Sequence, residues 1–255
     1  MADFRVFIPV IPHSGEDLLA LPPAETHHLV NVNRARIGDP VVAFDGSGRE
    51  SACVLERVDG RKTAVLRVVA TSKHAAPRCA LVLGQGLPKG GTMDDIVRQA
   101  TELGAAVIAP LSTARSELHL DAERAGKKIE KWRVAAIEAA KQCGNPFLPR
   151  IDPVQSTAAF LTSGPGRDAE LKLVASLHPG ARSLRETLAD FRTAHAGRAP
   201  CSAAWLIGPE GDLTGEEVAA ALEAGWTPVS LGPLVLRCDT AAAYALSALR
   251  CETEG

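Results

Sequence analysis

Leu206-Ile-Gly-Pro-Glu-Gly211, followed by Leu231-Gly-Pro-Leu-Val-Leu-Arg237 and then Asp239-Thr240-Ala241, reads as two glycine-rich turns built for one ligand. The run Ala203-Ala-Trp-Leu-Ile207 ahead of the first turn is short, apolar and bounded by turn residues, the pattern of a buried parallel strand. Gly208-Pro209-Glu210-Gly211 stops it abruptly. Thr214-Gly-Glu-Glu217 then has the form of a capping box: the Thr214 side chain accepts from the Glu217 N–H while the Glu217 side chain accepts from the Thr214 N–H. A helix is predicted from there to a stop at Gly225. A second strand, Pro228 to Leu231, ends in a similar turn at Gly232-Pro233. In open α/β sheets the carboxyl ends of strands face the ligand crevice, and glycines let the backbone approach it closely. Alone, Gly-Pro-Glu-Gly would be an ordinary strand-to-helix turn.

Outward from these turns the chain divides near residues 70–80. Before the division, strand-like runs (Arg5–Pro9, Pro40–Phe44, Glu50–Arg57, Thr63–Val69) alternate with turns such as Asp45-Gly46-Ser47-Gly48, which predicts a small β-barrel over residues 1–72. Thr71-Ser-Lys-His-Ala-Ala-Pro77 reads as the linker. After it, apolar strands at Cys79–Leu83, Ala106–Pro110, Leu171–Ala175, Ala203–Ile207 and Pro228–Leu231 alternate with helices, which argues a parallel α/β sheet over residues 78–255. A helix over 92–103 is predicted with Thr92 as N-cap and Met93, Ile96, Val97, Ala100 and Leu103 on one face. A second, from about 122 to 143, puts Ile129, Trp132, Ala136, Ala139 and Cys143 on one stripe, so Trp132 is read as core. Ser163-Gly-Pro-Gly166 and Ala194–Pro200 read as loose loops.

Composition bounds the answer without deciding it. A chain of 255 residues, 46% hydrophobic and 23% charged, can bury a sizeable core. It has no uninterrupted apolar stretch of about eighteen residues, and its start lacks a signal-peptide core, so a cytoplasmic protein without membrane contact is expected. The six cysteines form no CxxC pair; they are read as small buried hydrophobes, and no metal site is expected. The net charge of −2 is unevenly spread: residues 76–150 carry eleven Lys/Arg against eight Asp/Glu, and residues 151–255 eight against thirteen. In the basic third, Arg124, Lys127, Lys128, Lys131 and Arg133 share one predicted helix and could neutralise phosphates. With Glu123, Glu130 and Glu138 interleaved at salt-bridge spacing, the same helix also reads as a solvated face.

The two turns together resemble the carboxyl-terminal signature of the SPOUT superfamily of methyltransferases, and most closely its ribosomal small subunit methyltransferase E family. The resemblance covers nearly the whole chain. It runs through His28-Leu29, Arg34, Phe44-Asp45-Gly46, Lys89-Gly90, Met93, Thr101-Glu-Leu-Gly104 and Pro110. It continues through Lys127-Lys128, Trp132, Gln142-Cys143-Gly144 and Leu177-His178-Pro179. It implies an α/β domain with a carboxyl-terminal trefoil knot, preceded by a PUA-like or OB-like barrel that presents RNA. The implied activity is S-adenosyl-L-methionine-dependent methylation of 16S rRNA in the 30S subunit, at N3 of uracil 1498, by a homodimer. The implied cofactor residues are Leu177, His178, Ile207, Gly208, Pro209, Glu210, Gly211, Leu231, Gly232, Leu236, Arg237, Thr240 and Ala241. Candidate RNA contacts are Arg34, Arg36, Lys89, Arg115, Lys127, Lys128, Lys131 and Gln142. The alanine-rich stretch Thr240–Leu249 reads equally as a dimer interface or as a core helix.

The implied chemistry asks for few side chains. The cofactor's methyl is already activated, so orientation accounts for much of the acceleration. Uracil N3 must lose its proton, which puts negative charge on the ring oxygens, and a fixed cation would stabilise it. Arg237 is the candidate cation, with a structural salt bridge to Glu210 or Asp239 as the competing reading; Asp239 and Glu210 are candidate general bases.

Several positions depart from the family pattern. Gly91 replaces an acidic residue, Thr92 a Lys or Arg, Ala114 a Glu, Lys141 a Glu and Asn145 an Arg. Asn31 and Asn33 replace Arg and Leu, Asp212 a glycine, Leu234 an arginine, and Cys238-Asp239 the usual Thr-Glu. They leave open a second RNA target, or a non-catalytic RNA-binding or assembly protein of the same fold. Gly84-Gln85-Gly86 after a strand suggests a dinucleotide site, although Lys89 stands where the third fingerprint glycine belongs.

Overall fold

The computed structural model describes residues 4–11, 17–60, 63–117, 121–177 and 180–254. The chain forms two compact units, one of residues 1–76 with 137–148, the other of residues 77–136 with 149–255.

The first unit is built on five strands: β1 (Phe4–Phe7), β2 (Leu18–Ala20), β3 (Pro40–Phe44), β4 (Arg49–Asp59) and β5 (Thr63–Lys73), in the order β1-β3-β4-β5-β2. Among the described residues only β1 with β3 is a parallel pair in this unit. Alternate residues of each strand, including Val6, Leu19, Val41, Cys53, Leu55 and Leu66, close over one apolar core with Leu29. Leu29 comes from a π-helical segment, His27–Val32, that continues the short helix α1 (Pro23–Thr26). β5 runs on to Lys73, so the expected linker begins later: Thr71 to Lys73 still pair with β4.

The segment from Ile137 to Leu148 belongs to this first unit, and the reason is specific. The Lys141 side chain is only 7% exposed and its ammonium lies 2.6 Å from Glu25 and 2.9 Å from Glu138. Glu25 in turn accepts from the Phe7 N–H. The buried Lys141 charge is therefore matched by two carboxylates. Gly48 lies under the Phe147 ring, where an added Cβ would come within 2.4 Å of ring carbons.

The second unit is an all-parallel sheet. Its strands are β6 (Ala80–Gly86), β7 (Ala105–Ser112), β8 (Arg150–Ile151), β9 (Gln155–Ser156), β10 (Leu171–Ala175), β11 (Arg182–Ser183), β12 (Ser202–Ile207) and β13 (Thr227–Ser230). The order is β11-β13-β10-β12-β6-β7-β8, with β9 also pairing β7. Its helices are α2 (Thr92–Glu102), α3 (Ala122–Cys143) as far as residue 136, α4 (Thr157–Thr162), α5 (Gly164–Asp168), α6 (Leu184–Ala194), α7 (Gly215–Glu223) and α8 (Cys238–Glu254). Both faces of the sheet are covered, which is why the strands read as continuous apolar runs. Leu81, Leu83, Ala203, Trp205 and Ile207 pack with Ile96, Trp132 and Leu249 on one side, while Val82, Ala204 and Leu206 pack with Phe160 and Trp226 on the other.

Several local expectations are corrected. Gly91, not Thr92, is the N-cap of α2, and no side chain caps that end. Residues 164–168 form the short helix α5 rather than a loose loop, with Pro165 in the first turn, where its missing N–H costs nothing. Trp132 is core as read, its indole N–H donating to Asp94 at 3.0 Å, but Cys143 at the foot of its stripe is exposed. So are Cys201 and Cys251; only Cys53, Cys79 and Cys238 are buried. Burial pushes the Cys53 and Cys79 thiols up to about 11, which keeps them protonated and inert. The alanine stripe of α8, with Ala241, Ala242, Ala245, Leu246 and Leu249, lies inside the core, in line with the core-helix reading.

The Gly84-Gln85-Gly86 run lies within β6 rather than in a phosphate-cradling turn after it. A Cβ on Gly84 would meet the Phe160 ring at 2.4 Å, and one on Gly86 would meet the Pro209 ring at 2.6 Å. These glycines serve close packing, and the dinucleotide reading is set aside. No helix among the described residues is long and apolar enough to cross a membrane.

Candidate functional site

The strands β13, β10 and β12 are neighbours, and the chain leaves all of them at the same, carboxyl edge. There, three segments enclose a cavity of about 320 Å³. Ala175, Ser176 and Leu177 come from the end of β10; Ile207 ends β12, and Gly208, Pro209, Glu210 and Asp212 follow it; Leu231, Leu234 to Cys238 and Ala241 lead from β13 into α8. The size and mainly apolar wall suit a small organic ligand held by a few backbone groups. These are the segments the sequence pointed to. Among the expected cofactor residues Gly211, Gly232 and Thr240 stand in the same segments without lining the cavity. His178 lies outside the described residues. Leu234 and Val235, 72% and 81% exposed, were not expected in the wall; the apolar run Leu234-Val-Leu236 is the signal that could have marked them.

The first turn is held in place from behind. Gln85, fully buried, donates its amide to the Gly208 carbonyl at 3.1 Å and to the Gly86 carbonyl at 2.9 Å. This ties the ends of β12 and β6 together, so the Gly208 peptide cannot rotate freely. Glu210 receives the Lys89 N–H on both carboxylate oxygens, at 3.1 and 3.2 Å. The Lys89 ammonium turns to Glu117 at 2.6 Å, and that hydrogen bond and charge hold it protonated well above neutrality.

Asp212 sits at φ +61°. Aspartate tolerates this left-handed conformation better than most side chains, and its Oδ1 accepts from the Leu213 N–H at 2.8 Å. Asp212→Val should therefore cost about 2 kcal/mol, while Asp212→Gly should stay within about 1 kcal/mol of the parent. Thermal melts of the two variants decide it: equal melting temperatures would remove the left-handed requirement.

At the second turn Arg237 is 80% exposed, and its Nε lies 3.4 Å from Asp239 Oδ1. That carboxylate oxygen is buried and accepts no hydrogen bond. A buried carboxylate oxygen in this condition is costly unless a donor approaches it. Cys238, in the cavity wall, is a neutral thiol: burial first, then the nearby Glu210 charge, push its pKa up.

The expected RNA contacts fall on different elements. Lys89 and Arg115 stand beside the first turn, where Arg115 Nη1 donates to the Gly211 carbonyl at 2.8 Å. Lys127, Lys128 and Lys131 lie on α3, where Lys127 pairs with Glu123 at 2.6 Å and Lys131 with Asp94. Arg34, Arg36 and Gln142 are exposed residues of the first unit; Arg34 follows the π-helical segment at φ +60°. Among the described residues no cluster of three or more His, Cys, Asp or Glu could hold a metal ion.

Comparison with known proteins agrees with this architecture. Residues 75–250 match the RNA methyltransferase domain family, and residues 21–69 match the RNA methyltransferase PUA domain. Ribosomal RNA small subunit methyltransferase E of Bacillus subtilis is 34% identical over 232 residues, covering 90% of this chain and 88% of its own. The Mycobacterium tuberculosis protein of the same name is 32% identical over 249 residues, covering 98% and 92%. A Legionella pneumophila protein solved in complex with S-adenosylmethionine superposes with a TM-score of 0.86 at 30% identity, covering 99% of this chain and 98% of that one. A Neisseria gonorrhoeae ribosomal RNA small subunit methyltransferase E bound to S-adenosylmethionine gives 0.85 at 25% identity over 98% of each chain. With its parallel α/β sheet, its amino-terminal PUA domain and these relatives, the chain belongs to the ribosomal RNA small subunit methyltransferase E family of RNA methyltransferases.

Proposed function

We propose that the protein transfers the methyl group of S-adenosylmethionine to N3 of one uridine in 16S rRNA of the small ribosomal subunit. The observation that carries this reading is the cavity at the carboxyl ends of β10, β12 and β13, with Arg237 and an unsatisfied Asp239 oxygen at the second turn. Its apolar wall, with Leu177, Ile207, Leu231 and Leu236, fits an adenine ring, and the peptide groups of both turns fit its edge and the ribose. Bound there, the cofactor supplies an activated methyl on a positively charged sulfur.

The chain's own residues then have three tasks. The rigid turn at Gly208, fastened by Gln85, would hold the bound ligand in one orientation. Asp239 would take the N3 proton on its buried Oδ1, which frees the nitrogen lone pair for methylation. Arg237 holds the negative charge that deprotonation leaves on the uracil oxygens. Glu210, with its carboxylate engaged by the Lys89 N–H, shapes the turn and is the second candidate base. Arg34, Arg36, Lys89, Arg115, Lys127, Lys128, Lys131 and Gln142 supply RNA contacts. A homodimer in the cytoplasm belongs to the same reading, with exposed Leu177, Leu234, Val235 and Tyr244 as apolar surface to cover.

The test is methyl transfer from labelled S-adenosylmethionine to 30S subunits lacking the modification, followed by mass spectrometry of digested nucleosides and light scattering of the enzyme. A 3-methyluridine at a single 16S position and a dimer mass are expected. A different methylated nucleoside would move the target, binding of rRNA without transfer would leave a scaffold, and a monomer would remove the dimer.

A further inference from the structure

The carboxylate of Glu217 does more than cap a helix. Its Oε2 accepts from the Thr214 N–H at 3.0 Å and from the Thr214 hydroxyl at 3.3 Å, completing the capping box of α7. Its Oε1 accepts from the Ala114 N–H at 3.1 Å and from the Thr157 hydroxyl at 2.8 Å. Each oxygen thus carries two donors, which fills a carboxylate's acceptor sites. The turn after β7, the first residue of α4 and the N-cap of α7, far apart in sequence, meet on one side chain. Burial opposes the Glu217 charge, but these hydrogen bonds outweigh it and hold the carboxyl below the usual range, so it is ionised at neutral pH.

The turn that Glu217 grips is itself stiff. Ser116 donates its N–H to the Thr113 carbonyl at 3.1 Å, the Thr113 N–H donates to the Ser116 hydroxyl at 3.2 Å, and both side chains are buried. Ala114 and Arg115 are left exposed at the tip. From there Arg115 lies against Gly211, where an added Cβ would come 3.1 Å from the Arg115 Cβ, and donates to the Gly211 carbonyl at 2.8 Å. That bond uses one of the five N–H groups of a rigid, planar fork suited to phosphate and carbonyl oxygens.

We propose that Glu217 is a positioning residue for the RNA substrate: by holding the Ala114 N–H it sets the Thr113–Ser116 turn so that Arg115, clamped on Gly211, offers its remaining donors to RNA beside the cofactor cavity. The inference rests on the methyl-transfer reading and adds to it the link from α7 to substrate. Glu217 touches neither reactant; it acts through Arg115. The capping-box pattern in the sequence accounts for half of its bonds, and the other half depends on residues 60 and 103 positions away.

The experiment uses the full-length protein, with Glu217→Ala, Arg115→Ala, their double variant and Thr214→Ala, each measured for melting temperature, cofactor affinity, 30S affinity by filter retention, and KM and kcat for 30S methylation. Glu217→Ala is expected to raise the RNA KM and weaken 30S retention about tenfold, with cofactor affinity changed less than about twofold. The double variant should be no worse than Arg115→Ala, because both changes remove one interaction. Thr214→Ala should lower the melting temperature through loss of the cap yet keep the parental KM. Glu217→Gln, which keeps the shape but loses one acceptor, should fall between parent and Glu217→Ala and serves if the alanine variant does not fold. Losses that multiply in the double variant, or a Thr214→Ala KM as high as that of Glu217→Ala, would overturn the proposal. Absence of methyl transfer by the parent would instead sink the activity reading, while 30S retention across the same variants still decides the role of Glu217.

Discussion

Replacing Gly208 by alanine is expected to abolish cofactor binding at working concentrations, a loss on the order of a hundredfold or about 3 kcal/mol. A Cβ at this position would stand 2.9 Å from the Leu213 nitrogen and 3.0 Å from both the Asp212 Cα and carbonyl carbon. These are backbone atoms, so no side-chain rotation relieves the contact. Nor can the Gly208 peptide retreat without breaking its bond to Gln85, whose amide would then be left buried with one partner fewer. The strain is relieved by pushing the Asp212–Leu213 turn outward, and Asp212 is itself a wall of the cavity and already in the left-handed region. Titration calorimetry with S-adenosylmethionine, alongside a thermal melt, is the measurement. Overpacking of this kind costs about 1–3 kcal/mol of stability, or roughly 2–4 °C of melting temperature per kcal/mol in a chain of this size. Parental cofactor affinity in a folded Gly208→Ala protein would mean that this turn does not form the binding site.

How much of this was legible in the sequence follows from the range of each interaction. The strands of the second unit were readable because a strand buried on both faces has to be apolar throughout, and Ala203 to Ile207 is. The capping box at Thr214 was readable because both its bonds span three residues. What the sequence hid is long-range. Nothing near Lys141 announces that Glu25, 116 positions earlier, is its partner, and so the return of residues 137–148 to the first unit was not foreseen. The glycines of Asp45-Gly46-Ser47-Gly48 looked like an ordinary turn, whereas they leave room for Phe147 and Leu148. A stripe at helical spacing placed Cys143 with Trp132, but only the tertiary partner of each turn of α3 decides which end of that stripe is covered. At the site, the two turns after β12 and β13 were marked by glycines following apolar strands, whereas the segment after β10 was expected only through the family resemblance. Which residues of those turns face inward was not: Gly211 and Gly232 stay out of the wall, and Leu234 and Val235 enter it.

Arg237→Ala is expected to lower kcat by about two to three orders of magnitude, the effect of deleting one charge-stabilising group from a transition state, while leaving cofactor affinity within about threefold. The two sequence readings of this residue, a cation for the substrate or one partner of a salt bridge, turn out not to exclude each other. Its Nε faces Asp239 at 3.4 Å, yet 80% of the side chain is exposed, so the fork's other nitrogens are open to a base placed over the cavity. In that arrangement the guanidinium proposed to stabilise the uracil anion would also neighbour the carboxylate proposed to receive the proton, so loss of the arginine would weaken both steps. Arg237→Lys separates them: it keeps the positive charge but not the planar fork, and should recover less than a tenth of the parental kcat if two oriented contacts are required. Steady-state turnover on 30S subunits together with calorimetric cofactor affinity reads both variants. Should Arg237→Ala turn over like the parent, the 3.4 Å pair with Asp239 is all that the residue contributes, and charge stabilisation must come from backbone donors of the Leu231–Leu236 turn. Should Arg237→Lys match the parent, a point charge suffices and the planar geometry of the fork plays no part in the step.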